Sequence, residues 1–302
     1  MQRVPMSPSR ARRGFTMVEL LVALVLLGIV SAALYRVLVN NQRLYQAQTA
    51  RIDLSQNIRA AGSILPAEFR QLDASENDIY AMSATSISLR ATRWLGFACS
   101  PPGLGGGLNG VSIIIRGGAP GQPLFYGARG INNNTDSVLI YYDGDPASRA
   151  DDFWAIAGIT AAPNGQNCPD GTNGQRLILN VNLLGLGPNV AGAIPNGAPV
   201  WGFEKVTYAL YQQAGDTSWY IGFQPASGSM QPLIGPVLAN GLTFTYYNAA
   251  GAITAVRTQV ARIDITVRAR TTSAIRAGGQ AARLTAVDSV VTSVALRNNR
   301  RF

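Results

Sequence analysis

Glu19 is the residue whose position most demands a chemical explanation. It stands five positions into the apolar run FTMVELLVALVLLGIVSAALY, from Phe15 to Tyr35. A carboxylate inside a bilayer costs about 2.5–3.5 kcal/mol on insertion scales, so intramembrane acids are expected to pair. The plainer reading is a Glu near the interface that snorkels or is protonated. The sharper one asks which cation reaches it. A cut between Gly14 and Phe15 would create a new α-amine about one helical turn from Glu19. A neighbouring chain, shifted along the membrane normal, could offer its own amine to the same carboxylate.

The other residues with reactive or ligating potential form no such pattern. The chain has no histidine, the usual general base and commonest transition-metal ligand. Its two cysteines, Cys99 and Cys168, are not in a CxxC pair, so zinc and dithiol redox chemistry lack their spacing. Asp143, Asp145, Asp151 and Asp152 cluster in YYDGDPASRADD. Oxygen-rich loops can hold calcium. This one lacks EF-hand spacing and has Arg149 among its acids, so it reads as a solvated turn. The loops PPGLGGGLNG (101–110) and LLGLGPNVAGAIPNG (183–197) have no P-loop or GxGxxG context. No serine sits in a nucleophile elbow. These residues point away from an enzyme and imply no cofactor.

Glu19 is positioned by the apolar run itself. Phe15 to Tyr35 is 21 residues. At about 1.5 Å per residue it spans roughly the 30 Å core of a bilayer. Residues 1–14, MQRVPMSPSRARRG, are polar and carry Arg3, Arg10, Arg12 and Arg13. They cannot form the apolar core of a secretory signal, and the run that follows is long for one. The positive-inside rule keeps this leader in the cytoplasm and sends the rest out. The whole chain, 302 residues with net charge +9, has one lysine, Lys205, and otherwise scattered arginines. Scattered arginine is ordinary solvated charge, so nucleic acid as a partner is unsupported.

Arg12-Arg13-Gly14-Phe15-Thr16-Met17-Val18-Glu19-Leu20 resembles the prepilin cleavage motif. The resemblance implies that a membrane prepilin peptidase removes a basic leader after Gly14 and methylates Phe15. It implies that Glu19 pairs with a neighbour's amine during filament assembly. In related pilins the stem can unwind near a glycine such as Gly28, but the proline that often follows is absent here before Leu65. Close helix packing and unwinding both remain readings of Gly28.

Beyond Tyr35 the chain becomes amphipathic. Val37, Leu44, Ile58 and Leu65 lie seven residues apart or in multiples of it, with Tyr45 and Ile52 on the same side. That stripe predicts one long helix whose second half packs on the following domain, with DASEND (73–78) as its exit. From Thr85 the pattern turns to period two. Expected strands are Ser86–Arg90, Val111–Arg116, Ser137–Tyr142, Phe153–Ala157 and Arg176–Val181. A second set is Phe203–Gln212, Ser218–Gln224, Leu242–Asn248, Val260–Arg270 and Ser289–Leu296. The fold expected is α+β, a long N-terminal helix packed on an antiparallel, β-rich head. Its parts are a leader (1–14), a transmembrane half-helix (15–35), an amphipathic half-helix (36–72) and the head (80–302). Cys99 and Cys168 would lie outside the cytoplasm, where disulfides persist, and a bond between them is expected over free thiols.

The order FEKVTYALYQQ, TSWYIGFQ, QPLIGPVLANGLTFTYYNAAGAI, VARIDITVRAR, SVVTSVALRN resembles the C-terminal sheet of PilW-like minor pilins. It is also similar to that of the J-type pseudopilins of type II secretion. The match covers roughly the last hundred residues and leaves about 85–200 without a named analogue. It implies a minor pilin, added to a type IV pilus from the inner membrane, that primes assembly or sits at the tip. Implied partners are major and minor pilins, the prepilin peptidase, an inner-membrane platform protein, and membrane lipid before assembly. The alternatives are a minor pseudopilin, or a tip adhesin or DNA-uptake module.

Overall fold

The computed structural model describes residues 14–100, 103–104, 110–117, 126–127, 129–143, 145, 147–148, 150, 152–163, 166–180, 194–275 and 284–297. Arg12, Arg13, Arg149 and Asp151 lie outside them, as do most residues of the two glycine-rich loops. The chain divides into two compact units, Met1–Asp53 with Ser273–Ala286, and Leu54–Thr272 with Val287–Phe302. One helix, α1 (Met17–Phe69), contributes to both.

In the first unit α1 is apolar and long enough to cross a membrane. Its side chains from Met17 to Leu38 are exposed. The expected packing stripe needs correction here. Val37, Leu44, Tyr45 and Ile52 are exposed, and burial begins only at Leu54. The polar run Asn40–Arg43 gives this stretch no continuous apolar face, and none of the described residues buries it.

In the second unit the stripe is real. Leu54, Ala61, Leu65 and Phe69 are buried at seven- and four-residue spacing. The Phe69 ring meets those of Tyr208 and Phe244 at 6.1 and 5.8 Å. The helix ends three residues after Pro66, which has no N–H to donate.

All named strand pairs are antiparallel. The strands are β1 (Ile79–Met82), β2 (Ser86–Phe97), β3 (Gly103–Leu104), β4 (Gly110–Arg116), β5 (Tyr126–Gly127), β6 (Asp136–Tyr142) and β7 (Phe153–Ala161). They continue with β8 (Gln166–Asn167), β9 (Asn173–Asn180), β10 (Pro199–Gln212), β11 (Trp219–Gln224), β12 (Gln231–Tyr247), β13 (Arg262–Arg270) and β14 (Val287–Ala295). The sheet runs β14-β13-β12-β11-β10-β6-β7-β9-β4-β3, with β2 also on β10.

Strand β10 serves two structures. Thr207–Gln212 pairs with β11, and Val200–Glu204 pairs with β6 on that same side. Its other side pairs with β2 from Pro199 to Ala209. A bridge between Ala98 and Ile115 then joins the end of β2 back to β4. The ring β2-β10-β6-β7-β9-β4 is therefore a closed antiparallel barrel, with the two-residue strands β3, β5 and β8 each paired to a single strand of it. Side chains fill it, among them Trp94, Ile113, Ile115, Ile140, Leu177, Leu179 and Val200. Gly202 must be glycine, because a Cβ there would meet the Trp94 indole at 1.8 Å. The barrel accounts for the middle segment that had no analogue.

Strand β2 runs seven residues past its expected end at Arg90. The expectation that scattered arginines are solvated needs correction here, because Arg90 and Arg93 are both paired inside. Arg90 contacts Asp78 at 2.8 Å. Arg93 bonds Glu68 of α1 at 3.0 Å and Glu204 of β10 at 3.2 Å. Arg129 reaches both Glu204 and Asp136. Asp136 also accepts from Trp94 Nε1 at 3.0 Å and from the Asn132 N–H at 2.9 Å. Burial alone would push the Asp136 carboxyl up. The Arg129, Asn132 and Trp94 donors outweigh it and hold the group below its ordinary value.

Two outcomes follow for stability. The Cys99–Cys168 disulfide encloses a 69-residue separation beside the barrel's closing bridge. Its removal by Cys99→Ser with Cys168→Ser should cost about 4 kcal/mol in the chain-entropy model. Urea unfolding of the oxidised and double-serine chains measures this, and equal midpoints would refute it. Arg129→Ala should cost about 2 kcal/mol, less than a fully buried pair because Arg129 is 32% exposed. With its folded pKa depressed, Asp136 contributes stability above the usual carboxylate range and loses it as pH falls through the lowered value. Arg129→Ala removes the largest influence that lowers Asp136, so the fall in stability on acidification should be smaller than in the parent chain, as urea midpoints between pH 7 and pH 3 would show.

Candidate processing and assembly site

The residues around the expected cleavage point sit at the start of α1. Gly14 precedes the helix, and a Cβ built on it would meet nothing within 4 Å. Phe15 is 89% exposed. The Gly14–Phe15 bond therefore stands outside helical hydrogen bonding, in open surroundings.

Thr16 caps the helix, and Glu19 answers it. The Glu19 N–H donates to Thr16 Oγ1 at 3.2 Å. Glu19 Oε2 accepts from the Thr16 N–H at 3.0 Å and from the Thr16 hydroxyl at 3.0 Å. This reciprocal pair is a capping box, in which N-cap and third-position side chains satisfy orphan donors of the first turn. The signal was readable as Thr16-Met17-Val18-Glu19, the T-x-x-E spacing before an apolar run. The sequence reading missed it because membrane cost drew attention to the carboxylate's charge instead of its local bonds.

The geometry changes what Glu19 can do. Its membrane cost is met in part within its own chain, through two bonds to one oxygen. Both fall on Oε2, which leaves Oε1 for a further donor. An α-amine created at Phe15 would be the residue directly before the bonded Thr16 N–H. Around this point Met17, Val18, Leu20 and Leu21 are all exposed. Gly28 has nothing within 4 Å of a built Cβ, so within one chain it is an open notch.

The remaining sequence candidates lie elsewhere. Cys99 and Cys168 are bonded to each other with Cα atoms 5.6 Å apart. Asp145 turns in on its own loop, accepting the Ala147 N–H at 3.0 Å. Asp143 and Asp152 are half-buried. Among the described residues no three His, Cys, Asp or Glu side chains gather to hold a metal.

Residues 9–35 match the family model for the prokaryotic N-terminal methylation motif. No curated protein and no solved structure matches the chain. The motif is that of pilin-type prepilins, and it is followed by a long apolar helix and an antiparallel sheet. Together they support a type IV pilin- or pseudopilin-like protein, a structural subunit processed by a peptidase and assembled with other pilins.

Replacing Thr16 separates local capping from intermolecular pairing. Thr16→Ala should loosen the first turn by about 1 kcal/mol, while Thr16→Ser should keep it. Amide exchange at residues 17–20 in detergent-solubilised chain is the measurement. Exchange no faster in the alanine variant would show that the capping bonds contribute nothing.

Proposed function

We propose that this chain is a minor pilin. It is inserted in the inner membrane through α1, cut after Gly14, methylated on Phe15, and added to a type IV pilus. Basic Arg12 and Arg13 hold the leader on the cytoplasmic side, where the prepilin peptidase acts. In the filament the exposed apolar surface of α1 exchanges lipid for neighbouring helices. The free oxygen of Glu19 accepts a neighbour's Phe15 amine. A platform protein and a motor ATPase, both separate proteins, drive the addition.

The observation that carries this reading is the coincidence at one helix start of the methylation motif, the open Gly14–Phe15 bond and the Glu19 carboxylate. The minor role draws on the barrel. Its core uses strands β4, β6, β7 and β9, none of which pairs with β11 to β14. A displayed module of this size suits a low-copy subunit that initiates or tips a filament better than a repeating shaft subunit. It suits a binding role at that tip equally, with the ligand unassigned.

The test is mass spectrometry of the N-terminus on membranes and on sheared surface filaments from the native cell. The expected result is a peptide beginning at methylated Phe15 in both fractions. Recovery in membranes alone would favour a type II secretion pseudopilin. An intact leader, or cleavage beyond Tyr35, would end the pilin reading. Glu19→Ala should still be cut after Gly14 but should enter filaments at least tenfold less often. Incorporation at the wild-type level would sink the charge-pair role.

A further inference from the structure

The outer wall of the barrel is apolar across four adjacent strands. The register sets Leu95 of β2 against Trp201 of β10, Trp201 against Leu139 of β6, and Leu139 against Ile156 of β7. Two residues along each strand, Phe97 pairs with Pro199 and Tyr141 with Trp154. The row between these two, Val200, Ile140 and Ala155, belongs to the core. Side chains alternate across a sheet, so both apolar rows point away from that core. Phe97, Trp154 and Ile156 are 42%, 38% and 58% exposed, and the other five are half-buried. The Tyr141 and Trp154 rings meet edge to face at 5.6 Å.

An antiparallel strand with one face in water alternates apolar and polar residues. The runs VLIYY of β6 and WAI of β7 are apolar on both faces instead. Trp, Tyr and Phe gathered with no charge among them are the composition of an interface centre. Strands β6, β7 and β10 each have partners on both sides, so an occupant meets side chains and no open backbone ladder. Just past the strand ends, in the same alternation, come Asp143 after Tyr141 and Asp152 before Trp154. Asp152 Oδ1 is shielded from solvent and accepts no hydrogen bond from the described residues. The connection DGDPASRADD (143–152) carries four aspartates and one arginine. One margin of the apolar wall is therefore acidic.

We propose that this wall docks a cationic, apolar segment of another polypeptide. Its apolar side chains cover Leu95, Trp201, Leu139 and Ile156. Its arginine or lysine lies over Tyr141 and Trp154, against the aspartates. Aromatic ring faces attract a guanidinium or ammonium group. A carboxylate beside them adds a charge-assisted bond. A nucleic acid or an anionic lipid would meet like charge at this margin. A glycan would set hydroxyls on Leu95, Leu139 and Ile156, which offer them no hydrogen bond. The site uses barrel side chains alone, so it stands whether or not the leader is cut.

The probe is a dye-labelled hexapeptide of alternating Leu and Arg. It is titrated by fluorescence anisotropy against the full chain in zwitterionic nanodiscs, with empty nanodiscs as the blank. Two matched hexapeptides carry Glu in place of Arg, or Ser in place of Leu. The Leu–Arg peptide should bind at least tenfold more tightly than either, and more weakly as salt rises from about 20 mM to about 500 mM. The chain's net charge of +9 opposes unspecific uptake of a cation, so a preference for this peptide reports a local site. Trp154→Ala and Asp152→Asn should each weaken binding at least fivefold while the urea midpoint stays within error. If Trp154→Ala unfolds, Ile156→Ser serves in its place. No binding of the Leu–Arg peptide at about 1 mM, equal binding of the Leu–Glu peptide, or indifference to these variants would each overturn the proposal. Displacement of the peptide by neutral maltohexaose would overturn it too, and would give the wall to a glycan.

Discussion

The pairing of β2 with β10 holds the second unit together. From Pro199 to Ala209 the two strands run side by side. One stretch of β10 continues into β11 and the sheet that covers the end of α1. The other continues into β6 and the barrel. The charged groups sit where these parts join. Glu68 from α1, Arg93 from β2, Glu204 from β10, and Arg129 and Asp136 from the barrel's base form one chain of bonds. Buried charges are costly unless each finds its partners. Here Glu204 also takes the Ala226 N–H at 3.1 Å, and Asp136 takes the Trp94 indole. Such a cluster fits one arrangement of three parts. An apolar patch would tolerate several.

This explains how a barrel can interrupt a sheet without disordering it. Between the end of β2 and the start of β10 lie 101 residues, whose described strands are β3 to β9. Its two ends must return to adjacent strands. The Ala98–Ile115 bridge, the bond from the Ala98 N–H to the Ala198 carbonyl at 2.9 Å, and the Cys99–Cys168 disulfide all lie at that exit. The insertion is closed where it leaves the sheet, which fixes both of its ends beside the β2–β10 register.

Legibility in the sequence followed the physics of each element. The helix was readable because Leu, Val and Ala run without proline up to Pro66. The strands β6, β9 and β13 were readable because one face is buried and alternation runs through most of each, and β4 through its run of isoleucines. Expected Leu242–Asn248 was only the second half of β12, since Gly235, Pro236 and Gly241 look like turn residues. Strand β1 is four residues and directly follows the turn signal at 73–78. The barrel was not readable at all. Closure depends on which strands neighbour each other, and alternation carries no information about that. The exposure of Val37, Leu44 and Ile52 shows the converse limit. A periodic stripe says that a surface is apolar, not which surface covers it.

The same limit bears on Glu19. Read as a charge in a membrane, it calls for a cation from outside the chain. Read as the third residue of a helix, it already has two donors in Thr16. The two readings are compatible because a carboxylate has two oxygens and about four acceptor sites. The capping box fixes the side chain against the first turn, which removes the rotamer freedom a later partner would otherwise have to restrict. An α-amine arriving at Oε1 then meets an acceptor already oriented, in surroundings where a charge-assisted bond is stronger than in water. In the proposed function, local capping thus prepares the intermolecular bond. It also gives Thr16 a place in the proposed function, between the proposed cleavage point and the acid proposed to receive the new terminus.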